Sequence, residues 1–278
     1  MWGLAAMALC LWVGASLGLA GDTGKDAAVT QPTKDLPLPG EVFAVEGHTA
    51  FLIPSKKTTG TRATSWVWYA PTLPSNPGPE EKWVFERFLQ AGIAIAGIDV
   101  GESYGSPKGR ALFSAFYDEL VHKRGLARKA CLLARSRGGL MHYNWAVEHP
   151  SRVACIAGIY PVCDLWSYPG LRDACGAYEM TEEQLAHRLA EHNPIDRVGP
   201  LAKARVPILH IHGDNDTVVP LEKNSAELAR RYRRLGGDMT LVLVKGGGHD
   251  MWSGWFQCQE LVDFVIKHAA TGKPASKS

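Results

Sequence analysis

A doubly wound, mostly parallel α/β sheet of about eight strands with flanking helices is the architecture this sequence predicts, on three observations. From Ser65 onward, short apolar runs alternate with amphipathic stretches in β-α-β order. The runs are continuously apolar rather than alternating, as suits strands buried on both faces. Parallel neighbours need crossover helices, and the stretches between the runs carry helical spacing.

Taken in order, Glu41 to Glu46 and Thr49 to Ile53 read as an opening antiparallel hairpin turning at Gly47. The strand runs that follow are Trp66 to Tyr69, Ile93 to Val100, Ala130 to Ala134, Val153 to Ile159, Ile208 to His212 and Met239 to Val244. Between them, Pro79 to Ala91 reads as a helix, opened by a proline suited to a first turn and stopped at Gly92. Leu112, Phe113, Phe116, Tyr117, Leu120 and Val121 form one apolar helical stripe, and Leu228, Tyr232 and Leu235 form another. The arginines at 230, 231, 233 and 234 fall on the wet face of that second helix. Residues 164–204 break the rhythm and read as a cap or lid insertion, with a helix opened by the capping-box pattern Thr181-Glu182-Glu183-Gln184. In such a sheet, ligand chemistry belongs at the carboxyl ends of the strands.

Residues 41–270 therefore form the expected domain, followed by a tail at 271–278. Ahead of it, residues 21–40 carry Pro, Gly, Asp and Lys without period and read as a solvated linker. Trp2 to Ala20 is apolar and uncharged, and Gly18-Leu19-Ala20 supplies small residues for a signal peptidase. The expectation is a signal peptide at 1–20 and a secreted or periplasmic protein. A retained N-terminal membrane anchor is the alternative, because no Lys or Arg precedes the run.

Of the 278 residues, 46% are hydrophobic and 21% charged, enough to build a core and too few charges for wholesale disorder. A net charge of +2 gives no strong field for nucleic acid or an anionic membrane, so neither is an expected partner. Loss of Cys10 with the signal leaves Cys131, Cys155, Cys163, Cys175 and Cys258, an odd set. Cys163 and Cys175 lie in a turn-rich segment where a disulfide could close, whereas Cys131 and Cys155 sit inside strand runs as core residues. No spacing resembles a metal site, and no cofactor is called for.

Two serines compete as nucleophile. Gly101-Glu102-Ser103-Tyr104-Gly105 spells G-x-S-x-G, but Tyr104-Gly105-Ser106-Pro107-Lys108-Gly109 follows and delays any helix. A nucleophile elbow needs a strand, a sharp turn at the serine and a helix at once, so that the hydroxyl stands free above the sheet. Ser136 has that setting: strand Ala130 to Ala134, then Arg135-Ser136-Arg137-Gly138-Gly139, then a helix over Leu140 to Glu148. Ala134 and Gly138 supply the small residues that such a turn demands. Ser136 also follows the fifth strand, and here the chain resembles the α/β-hydrolase superfamily, whose nucleophile follows its fifth strand. Ala134 departs from the usual glycine.

The resemblance spans residues 41–268 and extends to the acid and the base. His212-Gly213-Asp214-Asn215-Asp216-Thr217-Val218-Val219-Pro220 is similar to the H-G-x-x-D-x-x-V-P segment that carries the triad acid in many members, which implies Asp216. Asp214, a natural turn former, and Asp164 are the competitors. Lys245-Gly246-Gly247-Gly248-His249 follows the last strand, and its glycines allow a loop that returns an imidazole over the sheet edge. Ser, Asp, His is the chain order of this superfamily. His142, His187 and His192 fall in helical stretches and are set aside.

In such a triad His249 accepts the proton of Ser136 while Asp216 fixes the imidazole, and backbone amides stabilise the oxyanion. The amide of Arg137 is the first expected donor and that of Thr72 the second, because Pro71 has no N–H. Ser136-Arg137-Gly138 resembles the elbow of glucuronoyl esterases over a few residues only. Its guanidinium could meet a substrate carboxylate or the oxyanion, or simply pair with Glu102. Trp166, Tyr168, Trp252 and Trp255 could wall the site for a sugar or acyl chain. The resemblance implies a serine hydrolase of an esterase, prolyl-oligopeptidase-like or dienelactone-hydrolase-like branch. A secreted carboxylic-ester hydrolase, acting on a small-molecule or saccharide ester, is the first expectation. A small serine peptidase and a non-catalytic binding module on the same fold are the alternatives.

Overall fold

The computed structural model describes residues 32–56 and 63–271. The apolar leader, most of the linker and the tail after Thr271 lie outside those residues.

One mixed sheet of eight strands runs through the molecule. In chain order the strands are β1 (Glu41–Val45), β2 (His48–Ile53), β3 (Trp66–Ala70), β4 (Ala94–Ile98), β5 (Ala130–Arg135), β6 (Val153–Ile159), β7 (Ile208–Gly213) and β8 (Met239–Val244). They lie side by side as β1-β2-β4-β3-β5-β6-β7-β8. The first two form the antiparallel hairpin, β2 joins β4 antiparallel, and every later pairing is parallel.

The helices are α1 (Lys82–Gln90), α2 (Pro107–Asp118), α3 (Gly138–Glu148), five short ones α4 (Leu171–Ala174), α5 (Glu182–His187), α6 (Leu189–His192), α7 (Pro194–Arg197) and α8 (Gly199–Lys203), then α9 (Ser225–Arg234), α10 (Ser253–Phe256) and α11 (Gln259–Thr271). Continuous apolar runs are explained by the layering. Along β3, Trp66, Trp68 and Ala70 enter one core with α2, α3 and α9, while Val67 and Tyr69 enter the other with α1 and α11. Strand residues point alternately to opposite faces, so a strand covered on both sides must be apolar at every position. A third, smaller cluster packs Leu165, Leu171, Tyr178 and Leu185 of the 164–204 segment onto Leu140 of α3 and Val219.

Several local expectations need correction. Leu235 is exposed, because the helix ends at Arg234 and Gly236 reverses the chain at φ 78°. The arginines of α9 are not simply wet: Arg230 and Arg231 share Glu227, and Arg233 donates to the Met239 carbonyl. Cys163 and Cys175 are both free thiols. Cys163 is locked in a buried loop whose amide donates to Asn224 Oδ1 at 2.8 Å, and its sulfur faces the Pro161 carbonyl, whereas Cys175 faces the Arg172 carbonyl. Helix α2 starts at Pro107, capped by Ser106 and running through Gly109, only four residues after Ser103. Among the described residues, no helix is long and apolar enough to cross a membrane.

Candidate active site

The carboxyl ends of β5, β7 and β8 meet at one edge of the sheet, and each carries one of the three residues singled out above. At the end of β5 the chain turns through Ser136 with φ 49°, a left-handed conformation rare for a residue with a Cβ. Three backbone hydrogen bonds hold it there. The Ser136 amide donates to the Ile159 carbonyl at 3.0 Å, and its carbonyl accepts from Val162 at 2.8 Å and Gly139 at 2.9 Å. On the other side the Ala70–Pro71 peptide presses on the helix start, where a Cβ on Gly138 would lie 2.1 Å from the Ala70 carbonyl oxygen. Only glycine fits. Arg137 precedes α3, so its amide belongs to the helix start, where N–H groups lack intrahelical partners.

The acid and base loops are stitched to each other. The amide of Asp214 donates to Val244 at 3.2 Å, that of Asn215 to Gly247 at 3.0 Å, and that of Gly246 to Asp214 Oδ1 at 2.6 Å. Gly213 lets them touch, since a Cβ there would lie 2.0 Å from the Gly247 oxygen. Asp214 is thus the turn former, while Asp164 is tied to Asn193 Nδ2 at 2.9 Å.

This stitching brings His249 between the other two residues. Its Nε2 lies 2.9 Å from Ser136 Oγ, and its Nδ1 lies 2.8 Å from Asp216 Oδ2. Asp216 is buried, 5% exposed, while His249 and Ser136 are part-exposed. Asp216 Oδ1 accepts the amides of Val218 at 3.0 Å and Val219 at 2.8 Å, and His212 Nε2 lies 3.3 Å from Oδ2. Burial would push the carboxyl up, but the hydrogen bonds from His212, His249 and the Val219 amide outweigh it and hold the acid well below the usual carboxylate range. An ionised acid beside an imidazole with a free path to a hydroxyl is the arrangement that draws a proton off serine.

Ser103 sits elsewhere. It is 8% exposed, its amide and carbonyl are used in the tight turn 101–106, and its Cβ lies where a side chain on Gly109 would begin. Thr72 is 2% exposed and bridges Asp99 in parallel fashion, with its hydroxyl donating to the Tyr69 carbonyl at 3.3 Å and packing on Gly97. Arg137 pairs with Glu102 at 2.6 Å. Of the histidines set aside, His187 is exposed, whereas His142 and His192 are buried.

Behind the elbow lies a buried ion pair that no sequence pattern marks. Arg135 Nη1 donates to Glu81 Oε1 at 2.6 Å, and Tyr69 donates to the same oxygen at 2.7 Å. Arg135 Nη2 reaches the Met251 sulfur at 3.0 Å, and its guanidinium lies over Phe256. Tyr160 packs its ring 4.3 Å from that of His249 and donates to the Asp250 carbonyl at 3.2 Å, and burial pushes its phenol up to about 12. Nothing local marks Glu81, which sits in the first turn before α1 where acids are ordinary.

Among the described residues no group of three His, Cys, Asp or Glu side chains could hold a metal ion. Comparisons place the chain among known proteins. The model of the prolyl oligopeptidase family matches residues 114–270, more than half of the chain. No curated protein matches. Among solved structures, dipeptidyl peptidase 4 of Porphyromonas gingivalis is similar at 12% identity and a TM-score of 0.65, over 82% of this chain and 35% of its own. A truncated carbohydrate esterase from gut microbiota is similar at 16% identity and 0.65, over 86% of this chain and 99% of its own. Est1E from Butyrivibrio proteoclasticus follows at 17% and 0.62, over 84% and 100%. The chain spans between 35% and 40% of the length of the peptidases and puromycin hydrolases it resembles. At these identities the likeness shows the fold, an α/β-hydrolase fold with a mostly parallel sheet of eight strands.

Proposed function

This chain belongs to the prolyl oligopeptidase family of serine hydrolases, and from that premise we propose that it hydrolyses carboxylic esters through Ser136, His249 and Asp216. The observation that carries the reading is the pair of short contacts, 2.9 Å from serine to imidazole and 2.8 Å from imidazole to acid. In the proposed reaction Ser136 Oγ attacks the acyl carbon as His249 Nε2 takes its proton. The oxyanion forms beside the Arg137 amide. His249 then returns the proton to the leaving alkoxide; water attacks the acyl-enzyme, giving its proton to the same nitrogen, which passes it to Ser136 Oγ as the acid leaves. Thr72 is the second candidate donor, set beside Asp99 by an isolated parallel bridge. A missing donor typically costs about 3 to 4 kcal/mol in the barrier, so this detail has a measurable weight.

Four of the six exposed large hydrophobic side chains among the described residues, Trp166, Val218, Met251 and Trp252, stand on the loops after β6, β7 and β8. Trp252 is braced edge-on against Trp255, whose indole N–H donates to Asp250 Oδ1 at 2.7 Å. An open apolar rim with two exposed indoles, one of them braced, suits an ester borne on a saccharide or an aryl group. The likeness to a carbohydrate esterase over 99% of its length supports the same choice. Peptide hydrolysis is the second reading, favoured by the family model itself. The test is a panel of short acyl esters, acetylated sugars, uronate esters and peptide amides, each run beside Ser136→Ala. Ester turnover that vanishes in the mutant is expected. Turnover of amides alone would move the assignment to a peptidase, and ester rates equal in both proteins would end it.

The apolar leader supports export from the cytoplasm, and we propose a secreted or periplasmic protein on that ground.

A further inference from the structure

Asp216 has a second imidazole on it, and that imidazole ends a buried chain of polar groups. His212 Nε2 lies 2.9 Å from the Val219 carbonyl and 3.3 Å from Asp216 Oδ2. His212 Nδ1 lies 2.7 Å from Ser225 Oγ, and Ser225 Oγ lies 2.8 Å from His210 Nδ1. His210 Nε2 lies 2.7 Å from the hydroxyl of Tyr143. His210, His212, Tyr143 and Ser225 are all 0% exposed. His210 and His212 are two apart on β7, which puts both side chains on one face of the sheet, against the first turn of α9 and the side of α3.

Counting donors fixes the protons. The Val219 carbonyl and the Asp216 carboxylate can only accept, so His212 Nε2 carries a hydrogen. In a neutral His212, Nδ1 is then an acceptor and must take the one proton of Ser225. Ser225 Oγ is left as acceptor toward His210, so His210 carries its hydrogen on Nδ1. Its Nε2 accepts from Tyr143. Every polar atom in the chain is then satisfied, and only one neutral arrangement does this. Burial, with His212 beside it, pushes His210 down to about 3, which agrees with a neutral ring there. On the Asp216 carboxylate, Oδ1 takes two amides and Oδ2 takes His249 Nδ1, with His212 Nε2–H 3.3 Å away and shared with the Val219 carbonyl.

We propose that His212 is a positioning residue for Asp216, held as its Nε2–H tautomer by the Tyr143–His210–Ser225 chain. The claim rests on reading Ser136, His249 and Asp216 as the triad. The two amides hold Oδ1, and both the tautomer and the aim of His249 depend on where Oδ2 stays. Fixed by His212, Oδ2 receives His249 Nδ1–H in one orientation, and Nε2 is left facing Ser136.

The test uses the whole protein labelled with 15N in its histidines, at pH 8. The nitrogen shifts should show His212 protonated on Nε2 alone and His210 on Nδ1 alone, opposite tautomers two residues apart. A His210 protonated on Nε2 would mean that the chain runs the other way with a charged His212, and would overturn the proposal. Kinetics provide the second arm. His212→Phe keeps the ring shape and removes the donor, and kcat should fall about 10- to 100-fold with KM nearly unchanged, as expected for a misplaced reacting group. His212→Gln keeps a donor near the Nε2 position and should recover most of that loss. Equal activity in both variants would overturn the positioning role. Where the Phe variant does not fold, Ser225→Ala replaces it, and unmixed tautomers in that variant would equally overturn the claim. Reaction of the unmutated protein with a fluorophosphonate at Ser136 reports on the triad separately, so a failure of that reading is distinguishable from a failure of this one.

Discussion

Two serine-bearing turns stand on this sheet with β3 between their strands, and they differ in what surrounds the hydroxyl. The turn at Ser136 takes a positive φ at the serine itself, and α3 begins two residues later at Gly138. The turn after β4 puts its positive φ on Gly101, Tyr104 and Gly105 instead, leaving Ser103 in a packed loop against α2. One turn spends its strain on presenting a hydroxyl to His249; the other spends it on closing a loop. The literal G-x-S-x-G pattern lies on the second, so a motif is a statement about strand, turn and helix before it is one about letters.

Mutating the two hydroxyls separates them most sharply. Ser136→Ala is expected to lower kcat by about four to six orders of magnitude on any substrate that the protein turns over, with a nearly unchanged melting temperature. Ser103→Ala should stay within a few-fold. Comparable losses in the two mutants would erase the distinction.

Acid separates the two helices that follow the turns. His142, on α3, is wholly buried between Trp68 and Phe113, and burial pushes it down to about 3, whereas α2 carries no histidine. Between pH 6.5, where a histidine of the unfolded chain titrates, and about 3, the unfolded state binds a proton that the folded state refuses. Stability must fall as pH falls through that window, by about 1.4 kcal/mol per pH unit for this group, and His210 adds a similar slope. Denaturant titrations at pH 7, 6 and 5 should show the loss, and His142→Phe should make it shallower. A slope unchanged by the substitution would place the proton elsewhere.

Glycine substitutions come next. Gly138→Ala forces a Cβ against the Ala70 carbonyl backbone and is expected to cost about 1 to 3 kcal/mol, with activity lost alongside. Gly101→Ala meets open space and only its φ of 62° resists, so about 1 kcal/mol with activity retained is expected from chemical denaturation and ester assays. The smallest effect belongs to the ion pair that joins the two turns, Arg137 with Glu102, both part-exposed. Glu102→Gln should change stability by less than about 1 kcal/mol, and a larger change would show that the pair braces the elbow.

The positions of the strands and of the three candidate residues were legible because each has a local cause. Strands buried on both faces are written as unbroken apolar runs, and the Ser136 elbow requires small residues beside it in the chain. Glu81 and Arg135 were not legible, since their pairing joins positions 54 residues apart and each alone looks like an ordinary helix-start acid and strand-end base. His210 and His212 did carry a signal. Two histidines two apart inside a buried strand must share one face and need partners there, and Ser225 and Tyr143 are those partners. Thr72 follows Pro71, which has no N–H, but the isolated bridge that sets it beside Asp99 depends on where β4 lies.

The most direct measurement is to treat the folded protein with a fluorophosphonate and map the adduct by peptide mass. One modified residue is expected, Ser136, with labelling slowed at least about 100-fold in His249→Ala. An adduct on Ser103, or an intact folded protein that takes no label, would contradict it.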